Sequence, residues 1–172
     1  MSDAERDTEV DVWICDFADA DDRAAFARLM AEFAAEPVSG SAHLDAAHFE
    51  RVADDLARRA GTLVLLAARA ESEQTEGVLI AFEGYSSFAR AQLFNIHDVH
   101  VSPVARGKGV GTAMLEVLAD LGREHSFAKI TLEVSASNAG AIRLYRKLGY
   151  SGLDGVAIDA PAGVTYFANK KL

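Results

Sequence analysis

The stretch that decides the fold reads Asp98-Val-His-Val-Ser-Pro-Val-Ala-Arg106-Gly-Lys-Gly-Val-Gly111-Thr-Ala. Its first residues alternate as a strand does and its last residues begin a helix, so the glycines lie in the connecting loop. A helix leaves its first N–H groups unpaired and is partly positive at that end, and glycines let an anion approach the backbone closely. Because Arg106 and Lys108 add two full charges, the loop is typical of a phosphate-binding site.

The glycine spacing excludes two common phosphate-binding loops. A P-loop requires G-x-x-x-x-G-K-[ST], but Lys108 is followed by Gly109. A dinucleotide fingerprint requires G-x-G-x-x-G, but Thr112 stands where its third glycine would be. What remains is R-x-x-G-x-G, formed by Arg106, Gly109 and Gly111 directly after a strand.

A second motif lies downstream, in Ile130-Thr-Leu-Glu-Val-Ser-Ala-Ser-Asn138-Ala-Gly-Ala141-Ile-Arg-Leu-Tyr145-Arg-Lys-Leu-Gly149-Tyr150. The pattern predicts a strand, a capped helix and a glycine stop. Asn138, Ala141 and Tyr145 are three and four positions apart and therefore share one helical face. Ile142 and Leu148 fall on a different side, which can pack on a sheet.

The two motifs, in this order, resemble those of the GNAT N-acetyltransferase family. R-x-x-G-x-G is similar to its pyrophosphate loop, and N-x-x-A-x-x-x-Y-x-x-x-G-[FY] is similar to its second motif. The resemblance implies an α/β GNAT fold with a mixed, mostly antiparallel sheet of six to seven strands. The sheet is expected to splay between strands 4 and 5 and to be flanked by about four helices. The run Tyr85-Ser-Ser-Phe88 and the strand around Asp98 are most similar to the small-amine and polyamine branch.

Periodicity along the chain agrees with one N-acetyltransferase domain over residues 9–172, after a disordered tail at 1–8. Strands are predicted at 10–14, 62–70, 77–85, 92–101 and 130–135, and helices at 19–36, 44–60, 109–125 and 138–148. A closing hairpin is predicted from Val156–Asp159 and Val164–Ala168.

Composition narrows the class of function. The net charge of −9 argues against nucleic-acid binding and mildly favours a cationic acceptor. The lone Cys15 rules out an internal disulfide, and the histidines outside the motifs show no metal-ligand spacing. No apolar run approaches the roughly 20 residues that span a bilayer, and the acidic start is unlike a secretory signal. We therefore expect a cytoplasmic protein with no metal and no membrane partner.

The resemblance assigns acetyl-coenzyme A, the cosubstrate, to the two motifs. The backbone of Val99 and Val101 would pair with the pantetheine arm, and the N–H groups from Arg106 to Gly111 would hold the pyrophosphate. Asn138 either caps its helix or contacts the cofactor. The expected cofactor-binding residues are Val99, His100, Val101, Arg106, Gly107, Lys108, Gly109, Val110, Gly111, Thr112, Asn138, Ala141 and Tyr145.

Tyr145 and His97 are the predicted catalytic residues. In the family the matching tyrosine lies beside the sulfur of the departing thiolate. Unperturbed pKa values of about 10 for tyrosine and about 8.5 for a thiol make full proton transfer uphill by roughly 2 kcal/mol, which favours a hydrogen-bonding role. His97 fills the glutamate position of the branch's L-E-D-x-x-V, and a histidine can deprotonate the amine.

Asp98, His100 or a water molecule are alternatives as the base. Period-two alternation places His97 on one face with Val99 and Val101, and Asp98 on the other face with His100. These four cannot all face one substrate, and each of the three polar residues also has an ordinary structural role as its alternative. Glu83, Tyr85, Asp98 and Glu133 are the predicted acceptor-binding residues, with a solvated strand face as the alternative.

The function predicted from the sequence is direct transfer of acetyl from acetyl-coenzyme A to a primary amine within a ternary complex. A small-molecule acceptor is favoured. Acetylation of a protein or peptide is one alternative, and a non-catalytic acyl-coenzyme A binding module is another. Homodimers are common in the family, so a homodimer is an alternative to a monomer.

Overall fold

A computed structural model describes residues 9–37, 39, 41–157 and 163–172. Within them, six strands form one sheet in chain order: Val10–Ile14 (β1), Thr62–Arg69 (β2), Gly77–Ser86 (β3), Ala91–Val101 (β4), Lys129–Ser135 (β5) and Thr165–Lys171 (β6). The described α-helices are Ala20–Ala34 (α1), Ala46–Arg58 (α2), Val110–Glu124 (α3) and Ala139–Lys147 (α4). The sheet is mostly antiparallel, with β4 and β5 parallel, so the expected α/β architecture is confirmed.

Local signals in the sequence set the helix ends. The Asp19 carboxylate caps α1 by accepting the N–H groups of Asp21 and Asp22 at 2.9 and 3.0 Å. The Asp45 carboxylate caps α2 by accepting the N–H of His48 at 2.9 Å. Side-chain oxygens at this position replace the bonds that the first turn cannot make for itself. The predicted helix boundaries therefore lie within two residues of the observed ones.

The chain forms two compact units. The first consists of Met1–Ala81 and Asp98–Val117. In it β1 pairs antiparallel with β2, from Val10 opposite Arg69 to Ile14 opposite Leu65, and α1 packs against α2. Its fully buried side chains include Phe26, Leu29, Leu65, Leu66, Leu79, Met114 and Leu115.

The single cysteine belongs to the core of the first unit. Cys15 is 8% exposed, and burial, followed by the nearby carboxylates of Asp22 and Asp16, raises the pKa of its thiol to about 12. The thiolate is therefore suppressed at neutral pH, and the residue behaves as a small apolar side chain.

The second unit consists of Phe82–His97 and Leu118–Leu172. Its parallel ladder between β4 and β5 covers only four pairs, from Leu93 opposite Lys129 to Ile96 opposite Leu132. β5 continues to Ser135 and pairs with β6 along its whole length. The short ladder agrees with the predicted splay of strands 4 and 5. The buried side chains of this unit include Leu118, Ile130, Leu132, Ile142 and Leu153.

Some predicted features fall outside the described residues. The predicted tail at 1–8 does, and so do residues 158–162, which contain part of the predicted closing hairpin. Val156 and Ala157 belong to no strand, whereas β6, the predicted second arm, begins at Thr165 and pairs with β5. Across the described ranges, none of the helices has the length and apolar character needed to span a membrane.

Candidate active site

The glycine loop lies in the first unit, between β4 and α3. A 3-10 turn at Pro103–Ala105 leads into Gly107 and Gly109, whose φ angles of +76° and +91° lie in the left-handed region that glycine adopts freely. Apart from chain neighbours, no described atom lies within 4 Å of the place where a Cβ would stand at either glycine. α3 starts at Val110, and its first N–H groups have no partner inside the helix. The backbone here is thus open to an approaching anion.

Gly77 of β3 lets the first turn of α3 pack closely in the first unit. A Cβ at Gly77 would stand 2.7 Å from Cγ1 of Val110 and 2.9 Å from Cε of Met114. Val110 is 1% exposed and Met114 is fully buried, so both side chains are enclosed by the protein. The absence of a side chain at Gly77 therefore sets the height at which α3 begins above the strand.

Arg106 binds groups of its own unit. Its guanidinium pairs with the Glu36 carboxylate, and its Nε donates to the Val101 carbonyl at 3.0 Å. These bonds join the loop to the end of β4 and to the end of α1. Lys108 is exposed on the loop, as Arg106 is. The guanidinium of Arg106 is thus paired within its own unit, and Lys108 is a second cation on the same loop.

His100 is buried in the first unit, with only 1% of its side chain exposed. Its ring stacks on Phe33 at a centroid distance of 5.4 Å. Nε2 lies 3.3 Å from Oε2 of Glu32, without hydrogen-bond geometry, and Nδ1 lies 3.3 Å from Oε1 of Glu36. Burial lowers the pKa of His100, although both carboxylates oppose that shift. An imidazole so enclosed is poorly placed to take a proton from an amine in solution.

Sequence reasoning did not find Glu32 and Glu36. Their i, i+4 spacing beside the apolar stripe of Leu29 and Phe33 was the available signal, because in the predicted helix over 19–36 it places two carboxylates on one edge of the apolar face. Nothing in that spacing indicates that the partner would be a strand histidine 64 to 68 residues further along the chain.

Tyr145 of α4 is buried in the second unit, at 6% exposure. Burial raises the pKa of its hydroxyl to about 12. Its ring lies 5.3 Å from that of Tyr150, whose own hydroxyl is buried and finds no hydrogen-bond partner among the described residues. Tyr145 therefore remains a neutral hydrogen-bond donor throughout the ordinary pH range.

Asn138 caps α4. Its Oδ1 accepts the backbone N–H of Ala141 at 3.0 Å. The structure therefore displays capping, which is one of the two expected roles of Asn138. Contact with a cofactor stays a prediction for Asn138 and for Ala141.

The remaining predicted site residues differ in exposure. In the second unit His97 is exposed, with its ring 5.5 Å from that of Phe82 in an edge-to-face contact. Glu83 and Tyr85 are both exposed and alternate on one face of β3, and Glu133 is exposed on β5 opposite Phe167. In the first unit Asp98, Val99 and Val101 are half-buried on β4. Along the described ranges, no three histidine, cysteine or acidic side chains cluster as metal ligands would.

A model of the acetyltransferase (GNAT) family matches residues 24–150, which include the glycine loop and all of α4. The chain belongs to this family. Streptothricin acetyltransferase of Streptomyces lavendulae is 37% identical to it over 89 residues, which cover 51% of this chain and 47% of that protein. The [Ribosomal protein bS18]-alanine N-acetyltransferase of Escherichia coli is 46% identical over 61 residues, or 36% of this chain and 39% of that enzyme. The chain thus aligns with less than half the length of these relatives.

The fold of this GNAT chain has close structural counterparts. A crystal structure of a GNAT acetyltransferase from Streptococcus pneumoniae superposes with a TM-score of 0.64. The superposition covers 95% of this chain and 100% of that one at 16% sequence identity. At that identity the likeness supports the fold and leaves the acceptor open.

Proposed function

We propose that this chain is an acetyl-coenzyme A-dependent N-acetyltransferase, organised as one catalytic domain over residues 9–172. One observation carries the proposal: the glycine loop is open to an anion where α3 begins, in a chain whose family takes acetyl groups from acetyl-coenzyme A. Unpaired N–H groups at a helix start suit a pyrophosphate. We assign the pyrophosphate to the N–H groups of Gly107 and of Gly109–Thr112 and to the charge of Lys108. The Lys108 N–H itself donates to the Ala105 carbonyl at 3.3 Å.

The reaction proposed is direct transfer. A neutral amine nitrogen attacks the thioester carbonyl carbon, a C–N bond forms and the C–S bond breaks. Coenzyme A leaves as a thiolate. The attacking nitrogen then loses one proton, and the thiolate takes up one proton and becomes the free thiol. We assign Tyr145 to the departing sulfur, as a hydrogen-bond donor. Its pKa of about 12, against about 8.5 for a thiol, makes full proton transfer uphill by about 5 kcal/mol. The hydroxyl stabilises the developing charge and keeps its proton.

The amine must lose a proton, because an alkylammonium has a pKa of about 10.4. We assign this step to His97, directly or through a water molecule, because its side chain is exposed. The burial of His100 between two carboxylates disfavours it in this role. Asp98 remains the alternative to His97.

A small cationic amine is the acceptor we favour. Glu83 and Tyr85 offer a carboxylate and an aromatic ring on one exposed face of β3, a pairing suited to an ammonium group. The net charge of −9 and the similarity to a streptothricin acetyltransferase support the same class. A peptide N-terminus is the second candidate, because the chain is also 46% identical over 61 residues to an enzyme that acetylates a ribosomal-protein alanine.

An acceptor panel tests the proposal. The full chain would be incubated with acetyl-coenzyme A and, in turn, streptothricin, a polyamine, free amino acids and a peptide that begins with alanine, and products would be identified by mass spectrometry. Acetylation of streptothricin or the polyamine supports a small-amine enzyme, and acetylation of the peptide alone supports the second candidate. No coenzyme A binding by calorimetry and no product with any acceptor would contradict the proposed function.

A substitution tests the role of Tyr145. Tyr145→Phe removes only the hydroxyl, so we expect kcat to fall by about 100-fold, within the usual range for one hydrogen-bond donor to a developing charge, with a smaller change in KM for acetyl-coenzyme A. Tyr166→Phe is the matched control, because Tyr166 is a half-buried tyrosine of the same unit that has no assigned role. An unchanged kcat in Tyr145→Phe would remove the hydroxyl from the mechanism.

A further inference from the structure

Three side chains of the first unit form a group that the proposed reaction does not use, with His100 buried and Glu32 and Glu36 half-buried. This carboxylate–histidine cluster consists of Glu32 of α1, Glu36 just after the end of α1, and His100 of β4. The His100 ring nitrogens lie 3.3 Å from one carboxylate each, and Phe33 covers the ring between them. Charged groups that are partly removed from water need paired or hydrogen-bonded partners, so the partners of these carboxylates show which segment the cluster contacts.

Each carboxylate of the cluster also holds one end of the segment that leads into the glycine loop. Ser102 Oγ donates to Oε2 of Glu32 at 2.6 Å, and the Arg106 guanidinium pairs with Oε1 of Glu36. Arg106 additionally fixes the Val101 carbonyl through Nε. The five residues from Ser102 to Arg106 are therefore tied to α1 at one end and to the residue pair after α1 at the other.

The charges that face the cluster nearly balance. Arg28 of α1 lies 3.9 Å from Glu32, and Arg106 pairs with Glu36, so two cations face two carboxylates before the charge of His100 is counted. Burial opposes ionisation of Glu32, yet the hydrogen bond from Ser102 and the adjacent His100 ring keep the pKa of its carboxyl below the usual value. Glu32 thus stays ionised and available to Ser102 at neutral pH.

We propose that Glu32, Glu36 and His100 are positioning residues that hold the glycine loop in its anion-binding conformation through Ser102 and Arg106. The inference rests on the proposed function, since it names the pyrophosphate of acetyl-coenzyme A as the anion. It assigns Arg106 a bracing role, in which its charge is directed to Glu36. None of the three positioning residues needs to touch the cosubstrate.

Glu36→Gln tests the inference because it removes the ion pair with Arg106 while preserving shape. We expect the Kd for coenzyme A, measured by calorimetry, to rise by about tenfold, the equivalent of one hydrogen bond to a charged group. Ser102→Ala cuts the other link and should raise the Kd in the same direction, which keeps the test decisive if Glu36→Gln folds poorly. Glu50→Gln is the matched control. Glu50 of α2 pairs with Arg23 of α1 at 3.2 Å, away from the contacts of Glu32 and Glu36 with the loop segment.

A truncated donor separates positioning from general damage. S-acetylpantetheine has the thioester but lacks the pyrophosphate, so kcat/KM with it should be unchanged in Glu36→Gln, while kcat/KM with acetyl-coenzyme A falls about tenfold. Equal losses with both donors, or an unchanged Kd for coenzyme A in both loop variants, would overturn the inference and leave the proposed function standing. A wild-type chain that binds no coenzyme A would overturn both.

Discussion

Gly77→Ala is expected to weaken both the fold and the binding of coenzyme A. The new Cβ would stand 2.7 Å from Cγ1 of Val110 and 2.9 Å from Cε of Met114. Carbon atoms in contact prefer about 3.5–4.0 Å, so α3 or its side chains must retreat by roughly 1 Å. Met114 is flexible, but Val110 is β-branched and begins the helix, so the retreat falls on the N–H groups assigned to the pyrophosphate.

The size of the effect follows from two contributions. Overpacking a tight core costs about 1–3 kcal/mol, and replacing a strand glycine returns about 0.5–1 kcal/mol of backbone entropy. The net loss in free energy of unfolding is therefore about 1 kcal/mol and at most about 2.5 kcal/mol. Loss of one hydrogen bond to a charged phosphate, worth about 1.5–3 kcal/mol, raises the Kd by about 10- to 100-fold.

Two measurements check this prediction. Urea unfolding gives the change in stability, and calorimetry gives the Kd for coenzyme A. Gly84→Ala, also in β3, is the control, since its Cβ would meet only the side chain of Leu93, with Cδ1 at 3.1 Å and Cγ at 3.6 Å. If Gly77→Ala binds coenzyme A as tightly as Gly84→Ala does, the packing of Val110 on β3 does not position the loop.

Three further predictions concern residues outside the chemistry. Burial lowers the pKa of His100 below 6.5, so the unfolded chain binds more protons than the folded chain as pH falls past that value, and acidification should destabilise the fold. Urea titrations should show that the free energy of unfolding falls less between pH 7 and 5 in His100→Gln than in the wild type. An identical fall in both would refute the lowered pKa of His100. Tyr150→Phe removes a buried hydroxyl that has no described partner, so thermal unfolding should occur at the same or a higher temperature, and a lower one would reveal a hidden bond. Gly152→Ala combines a φ of +94° with a Cβ 2.5 Å from the Phe167 carbonyl oxygen, so it should lose about 2 kcal/mol or more in denaturant unfolding; wild-type stability would mean that this turn relaxes freely.

Local features were predictable from the sequence. The glycine loop, the caps at Asp19 and Asn138, and the alternation of β4 are each encoded within a few neighbouring residues, and the structure places them within one or two positions of the prediction. The alternation also separated His97, which is exposed, from His100, which is buried.

Features that depend on distant partners were not predictable. The spacing of the loop motif predicted that Arg106 lies in the glycine loop. It did not predict the ion pair of Arg106 with Glu36, because Glu36 lies 70 residues away in the sequence. Gly77 resembled any strand glycine until the packing of Val110 against it was known. The raised pKa of Tyr145 likewise depends on its burial, which the spacing of residues along the helix does not predict. That raised pKa favours a hydrogen-bonding role for Tyr145 over proton transfer.

The burial of Cys15 makes the chemistry easier to watch. Each turnover would release one free thiol, which disulfide reagents such as Ellman's detect only as the thiolate. The one cysteine of the chain is buried, with a pKa of about 12, so the folded protein contributes almost no colour of its own. A continuous colorimetric assay can thus be used without a cysteine-free variant. An increase in colour without substrate would report that Cys15 has become accessible through unfolding.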